Sequence, residues 1–222
     1  VIFESEKCSQ GDTIDVKNGT FSFYDKVMKD SDNKHQGVLK VKRAFEVSSN
    51  VAISRIIHEN FNKVPEQFIA YLDKMGLTQK TGIDIKGEPE PYIKDPKDRK
   101  NWTGITLPWM SVGYELKLTP LQTLTLYNAV ANDGVSMKPY LISGVNDGGI
   151  SVERVNPSIL QPEICSESTI RSVRSMLEGV VENGTAKNIQ PKHFKIAGKT
   201  GTSKIAKKKS GYGNSYQASF AG

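Results

Sequence analysis

Apolar and polar residues alternate through "DTIDVKNGTFSFYD", where Ile14 and Val16 are followed, across Asn18-Gly19, by Phe21 and Phe23. Period-two alternation about a dipeptide that tolerates positive φ predicts a β-hairpin there. From Val41 the period lengthens. "VKRAFEV" reads as helix, breaks at "SSN" and resumes as "VAISRIIHENF", with Val51, Ile53, Ile56 and Ile57 on one face. The "SSN" triplet therefore falls at a helix junction. Pro65 opens another helix, "PEQFIAYLDKMG", in which Phe68, Leu72 and Met75 share a side and Gly76 suits the C-terminal cap. A long irregular region is expected from there to about Gly113.

"TPLQTLTLYNAVANDG" is a helix with its punctuation written out: Thr119 caps, Pro120 fits the first turn, Gln122 completes a capping box and Gly134 follows the end. Leu121, Leu124 and Tyr127 are expected to face the core. "LISGVNDGGISVERV" reads as a second hairpin about Asp147-Gly148, and "SESTIRSVRSMLEGVVENG" as a capped helix burying Ile170, Val173, Leu177 and Val180. Two strands close the chain, "FKIAGKTGT" and "SYQASFAG", near enough in sequence to pair antiparallel. Helices and meander strands are segregated, without regular βαβ alternation, which predicts an α+β fold.

At 37% hydrophobic and 24% charged, 222 residues can bury a core and do not read as disordered or fibrous. The chain opens "VIFESEKCSQ", with no methionine, signal peptide or long apolar run, and reads as a piece excised from something longer. Cys8 and Cys165 lie far apart and outside any C-x-x-C, so neither a zinc site nor a disulfide framework is indicated, and they do not fix the redox compartment. His35, His58 and His193 are equally scattered, and no metal or other cofactor is assigned. A formal charge of +6 raises the question of nucleic acid. Its densest cluster, "KIAKKKSGYGNS", sets lysines among glycines and reads as a solvated, mobile loop. "KDPKDRKN" mixes both signs and makes no phosphate-tracking stripe. No nucleic-acid partner is expected.

The candidate chemistry lies in two short motifs. In "KIAGKTGTS", Gly201 lets another backbone approach, Lys199 supplies a charge beside it, and Thr200 and Thr202 offer hydroxyls to a carboxylate. A surface strand with a solvated lysine accounts for the tripeptide equally well. In "VSSNV", Ser48 and Asn50 are two apart at the helix junction, where hydroxyl and amide can both point into a cleft. Helix capping explains the same residues. Taken together and in this order, S-x-N followed far downstream by K-T-G matches two of the three signatures of serine β-lactamases and penicillin-binding proteins.

On these motifs, and on "LPWMSVGYELKLTPLQTLTLYNAVANDGVSMKP" and "MLEGVVENGTAKN", the chain resembles the class B penicillin-binding proteins, D,D-transpeptidases that crosslink peptidoglycan. The wide separation of Ser48 and Lys199 suits that group better than the compact β-lactamases. "RAFEVSSNVAISRII" and "YQASFAG" look most like the septal, cell-division type. The resemblance implies a partial penicillin-binding-protein/serine β-lactamase-like fold, with residues 1–222 forming a single, incomplete transpeptidase domain. It implies acyl transfer on D-alanyl-D-alanine stem peptides through an acyl-serine that β-lactams trap. Ser48 would relay a proton, Asn50 would hold the substrate amide and Lys199 would tune the field around Ser48. Thr200 and Thr202 would grip the terminal carboxylate, Thr202 N–H would serve the oxyanion and Gly201 would keep the edge open.

The nucleophile of the family sits in S-x-x-K at a helix start and is expected outside this chain. Ser31 and Lys34 satisfy the pattern formally, but in "DSDNKHQG" they occupy a polar turn and lie too close to Ser48 for the usual intervening hairpin and helix. The resemblance further implies an extracytoplasmic location with a membrane anchor outside these residues. A glycan polymerase and divisome or elongasome proteins would be partners through other regions. A β-lactam sensor or hydrolase of the same fold, and a non-catalytic relic, are the alternative functions.

Overall fold

The computed structural model describes residues 1–32, 34–207 and 211–222. Among these, the chain begins with strands β1 (Thr13–Asp15), β2 (Thr20–Phe23), β3 (Lys26–Lys29) and β4 (Val38–Lys40). Helices α1 (Val41–Glu46), α2 (Asn50–Phe61) and α3 (Pro65–Lys74) follow, then β5 (Tyr92–Ile93), α4 (Thr106–Met110), β6 (Leu116–Lys117) and α5 (Pro120–Ala131). The remainder is β7 (Ser136–Met137), β8 (Gly144–Asp147), β9 (Ile150–Arg154), β10 (Ile159–Gln161), α6 (Glu167–Glu182), β11 (Lys199–Lys207) and β12 (Gly211–Ala221). The class is α+β, as expected. The strands form antiparallel two-stranded pairs, β1 with β4, β2 with β3, β5 with β6, β7 with β10, β8 with β9 and β11 with β12. No helix among the described residues is long and apolar enough to cross a membrane.

The first hairpin forms differently from the alternation pattern. The chain does turn at residues 17–19, with Lys17 and Gly19 at positive φ, but β1 and β2 do not pair. The Val16 amide donates to the Gly37 carbonyl and the Gly37 amide to the Lys17 carbonyl, so the returning segment that ends in β4 takes that edge. β2 instead folds onto β3 through a tight turn at Tyr24-Asp25. The capping box of α5 is present in both directions, Gln122 N–H to Thr119 Oγ1 and Thr119 N–H to Gln122 Oε1. Its buried stripe differs from the expected one: Gln122 and Ala129 are buried, whereas Leu124 is 54% exposed. The buried Gln122 side chain donates to the Gln79 carbonyl at 3.0 Å. In α6, Ile170, Leu177 and Val180 are buried as expected and Val173 is only half-buried.

Within the expected irregular region, α4 and the β5–β6 pair are ordered elements. At the C-terminus the lysine-rich stretch is largely strand: β11 runs to Lys207 and β12 begins at Gly211, while residues 208–210 lie outside the described ones. The strand expected from Phe194 starts only at Lys199.

The chain divides into two compact units, one made of Val1–Lys7 and Ile57–Ile170, the other of Cys8–Ile56 and Arg171–Gly222. The first is built on Ile57, Phe61, Phe68, Leu72, Leu77, Leu107 and Met110, with Phe61 and Phe68 edge to face at 5.8 Å. Glu4 ties its N-terminal segment down. The carboxylate accepts from Ser166 N–H, Ser166 Oγ, Thr169 Oγ1 and Lys74 Nζ, all between 2.8 and 2.9 Å. The second unit packs Val180, Val181 and Ala186 against Phe45 and Ile196. Both thiols, Cys8 and Cys165, are free.

Burial alone would raise the Glu4 pKa, but the Lys74 ammonium and the donors of Ser166 and Thr169 overcome it and bring it down to about 2. A carboxylate depressed in the folded state contributes stability that is present above its unfolded pKa of about 4.5 and lost as pH falls toward 2. Glu4→Gln is therefore expected to cost on the order of 3 kcal/mol near neutrality. The gap between variant and parent in thermal midpoint should close as pH is lowered from 5 to 2. A gap independent of pH would show that the contact is not ionic.

Candidate active site

Ser48, Asn50, Lys199, Thr200, Gly201 and Thr202 all belong to the second unit. Ser48 sits where α1 ends. Its N–H donates to the Phe45 carbonyl and the next residue's, Ser49 N–H, to the Ala44 carbonyl, the paired bonds of a Schellman termination. The residue after the C-cap in that motif takes left-handed backbone angles, usually as glycine. Here it is Ser48, at φ 57°. A left-handed conformation costs a non-glycine residue roughly 1–2 kcal/mol.

The next residue starts the following helix. Ser49 is buried, and its Oγ accepts from Ala52 N–H at 3.1 Å, which makes it the N-cap of α2. Capping, the bland explanation for the triplet, thus falls on the middle serine and not on Ser48 or Asn50. The Ser49 hydroxyl donates to Asp30 Oδ2 at 2.9 Å, and Val51 N–H donates to Asp30 Oδ1 at 2.9 Å. Asn50 Nδ2 donates to the Lys29 carbonyl at 3.0 Å.

Lys199 is the first residue of β11 and lies 151 residues from Ser48 in sequence, yet its Nζ donates to Ser48 Oγ at 2.8 Å. It also donates to the Thr200 carbonyl at 3.1 Å and stands 5.7 Å from the centre of the Phe45 ring. None of these partners carries a full negative charge. Burial accordingly pushes the ammonium down to about 8. The solvated-lysine explanation of the K-T-G motif does not describe this side chain.

Alternation along a strand turns the Thr202 N–H toward the same edge as the Thr200 carbonyl. On its other edge β11 pairs with β12, Gly201 opposite Ser219, where a Cβ at Gly201 would come within 2.6 Å of Ser219 Oγ. The structure places the Ser48 and Lys199 side chains of the two motifs in contact. Asn50 lies on the same corner, though its amide is engaged by Lys29.

Three neighbours escaped the motif search. Thr185 Oγ1 is 2.5 Å from Thr200 Oγ1; it lies in "ENGTAKN", so the stretch was visible although the residue was not. Asp30 reads in the sequence only as a turn former, and nothing marks Phe45 for the site. Two variants separate hydroxyl from backbone at Ser48. Both Ser48→Ala and Ser48→Gly delete the contact to Lys199, but only glycine relieves the left-handed angle. The glycine variant should be more stable than the alanine variant by about 1 kcal/mol, read from denaturant midpoints. Equal midpoints would show that the corner is unstrained.

The family model of the penicillin-binding protein transpeptidase domain matches residues 2–222. Penicillin-binding protein PbpB of Mycolicibacterium smegmatis is 33% identical over 168 residues, 71% of this chain and 25% of that protein. The structure of penicillin-binding protein 3 from Mycobacterium tuberculosis complexed with aztreonam superimposes with a TM-score of 0.83 at 28% identity, over 99% of this chain and 49% of that one. The transpeptidase domain of penicillin-binding protein 3 from Burkholderia pseudomallei gives 0.79 at 27%, over 98% and 61%. The chain thus spans about a quarter of the length of its curated relative and about half of the solved chains. With the family model matching nearly the whole chain and the fold shared with these proteins, the chain belongs to the penicillin-binding protein transpeptidase family, related to the septal type.

Proposed function

We propose that residues 1–222 are one incomplete D,D-transpeptidase domain that crosslinks peptidoglycan stems ending in D-alanyl-D-alanine and is acylated by β-lactams. The observation that carries this is the 2.8 Å contact of a half-buried lysine with the serine of S-x-N across 151 residues. The nucleophile is the serine of an S-x-x-K segment outside this chain. Ser31 is a poor substitute, since it lies in an exposed bend while Lys34 pairs with Asp32 at 3.6 Å.

The external serine oxygen attacks the penultimate D-alanine carbonyl, and the negative charge moves onto the carbonyl oxygen. Thr202 N–H, on the open edge of β11, donates to that oxygen, a contact whose loss typically lowers rates by 10²- to 10³-fold. The C–N bond then breaks, and Ser48 passes its proton to the leaving nitrogen and takes up the one released by the attacking serine, so that D-alanine departs neutral at that amine. Lys199 holds the Ser48 hydroxyl through its own N–H and so leaves the Ser48 proton free to be donated. Asn50 receives the stem amide when its contact to Lys29 is exchanged. Thr200 and Thr202 hold the terminal carboxylate, and Gly201 leaves room for it. An amine from a neighbouring stem attacks the ester and restores the serine. With a β-lactam the leaving nitrogen stays tethered, and the ester persists.

The relatives of known structure support the inhibitor class, because the Mycobacterium tuberculosis protein was solved with aztreonam. The domain works on the extracytoplasmic face of the membrane, where its polymer lies, held by an anchor outside these residues. It acts beside a glycan polymerase and the division or elongation machinery through other regions.

In the full-length protein, Lys199→Ala should slow acylation by a fluorescent penicillin about a hundredfold with little change in thermal midpoint. Lys199→Arg should also be impaired, because a planar fork cannot take the place of a compact ammonium. If the ammonium is the working form, the parent rate falls as pH rises through about 8, and this limb is missing in the arginine variant. Unchanged rates in both variants would exclude a role for Lys199. Labelling of the full-length protein should survive Ser31→Ala; its abolition would move the nucleophile into this chain.

A further inference from the structure

The corner that presents Ser48 is held from outside its own helices. Residues Ser49, Asn50 and Val51 are gripped in succession by the end of the β2–β3 hairpin. Asp30 takes the Ser49 hydroxyl on one oxygen and the Val51 amide on the other, both at 2.9 Å, and the Lys29 carbonyl takes the Asn50 side chain at 3.0 Å. Asp30 is itself fixed, because its N–H donates to the Gly19 carbonyl at 2.9 Å across the base of the hairpin. Ser48 has no such grip, and its side chain meets Lys199 while its backbone sits at φ 57°. A non-glycine residue stays in that region only when its surroundings over-determine it. The following three residues are those surroundings.

We propose that Asp30 is a positioning residue for the transpeptidase reaction, locking the Ser48–Asn50 corner so that the Ser48 hydroxyl stays on Lys199; this rests on the role assigned to Ser48 above. The chemistry calls for a carboxylate. Two donors converge on Asp30, a hydroxyl and an amide, so the group between them has to be an acceptor on both sides. Asparagine has the same shape but turns an NH₂ toward one of those donors. If the Ser49 oxygen accepted from that NH₂ as well as from Ala52 N–H, its own O–H would lose the acceptor that Asp30 gives it. Burial raises the Asp30 pKa against the opposing pull of Val51, Ser49 and Asn50, as fits a carboxylate enclosed by the corner it holds.

The test is a double-mutant cycle in the full-length protein, with the second-order rate of acylation by a fluorescent penicillin and the thermal midpoint measured for parent, Asp30→Asn, Ser48→Ala and the double variant. Asp30→Asn should slow acylation on the order of tenfold or more, the scale of a small displacement of a reacting group. In the Ser48→Ala background it should cost little further, because the hydroxyl it positions is gone. A merely stabilising aspartate predicts the same fold-loss in both backgrounds, and that result, or an unchanged rate in Asp30→Asn, overturns the proposal while leaving the function of Ser48 intact. If Ser48→Ala itself acylates normally, the assignment of Ser48 fails and the proposal goes with it. Asp30→Glu keeps two acceptor oxygens at a displaced position and should fall between parent and Asp30→Asn; a rate no better than Asp30→Asn would sink the requirement for an acceptor. This variant also carries the cycle should Asp30→Asn be recovered unfolded.

Discussion

Everything at the site depends on how closely the last turn of α1 approaches α6. The Glu46 carbonyl accepts from Thr185 N–H at 3.1 Å. A Cβ placed on Gly184 would lie 2.2 Å from that carbonyl oxygen, and one on Gly179 would lie 2.2 Å from Glu46 Oε1. Two glycines of "LEGVVENGTA" therefore make room for the backbone and side chain of one glutamate, itself paired with Arg43 at 3.3 Å. α6 holds the other half of the site as well, because Gly198 N–H donates to the Leu177 carbonyl at 3.1 Å, one residue before Lys199. Ser48 and Lys199 are thus placed from the same helix, each within two residues of its attachment. Their 2.8 Å contact inherits its geometry from α6.

Several unfavourable features collect at this point. A lysine is half-buried with no carboxylate paired to it among the described residues, and a serine occupies a backbone position that favours glycine. Stability alone would remove both, the first with a neutral side chain and the second with glycine. Such local violations, over-determined by the structure around them, mark sites where chemistry has set the residue. In the proposed reaction the hydroxyl partner of Lys199 would serve in a way a carboxylate would not. A carboxylate would satisfy the ammonium, hold it charged well above neutrality and attract it away from Ser48. A hydroxyl, a carbonyl and an aromatic face leave the charge only partly compensated, and so available to a reacting group.

What could be read from the chain was local chemistry. Thr119, Pro120 and Gln122 specify a helix start in four consecutive positions, which formed as read, and the hairpin read about Asp147-Gly148 formed with its turn one residue on, at Gly148-Gly149. The K-T-G and S-x-N motifs were legible for the same reason, being short patterns of reactive groups. Non-local competition was not legible. Nothing near Asn18 says that the Gly37 segment will claim the edge of Val16, and nothing near Gln122 says that its side chain will be buried with its amide on the Gln79 carbonyl of another segment. "SSN" offered three polar residues to a single capping role, and in the fold Ser49 takes it. Asp30 was legible as a turn former, which it is, but its acceptors face a helix that begins twenty residues later.

The site stands where three elements stop or start, and this follows from backbone accounting. The end of a helix leaves carbonyls without partners, the beginning of one leaves amides, and a strand paired on one edge leaves both. In the Ser48 corner the first two sets are consumed internally: the Schellman bonds, the Ser49 cap and the Asp30 carboxylate satisfy them. The corner is therefore rigid and offers side chains rather than backbone. β11 is the complement, since β12 occupies one edge and the other has no strand partner among the described residues. Placing the saturated corner against the unsaturated edge gives a fixed hydroxyl and ammonium beside open N–H and C=O groups. An extended peptide needs both, pairing its backbone with the edge while its reacting carbonyl meets the side chains.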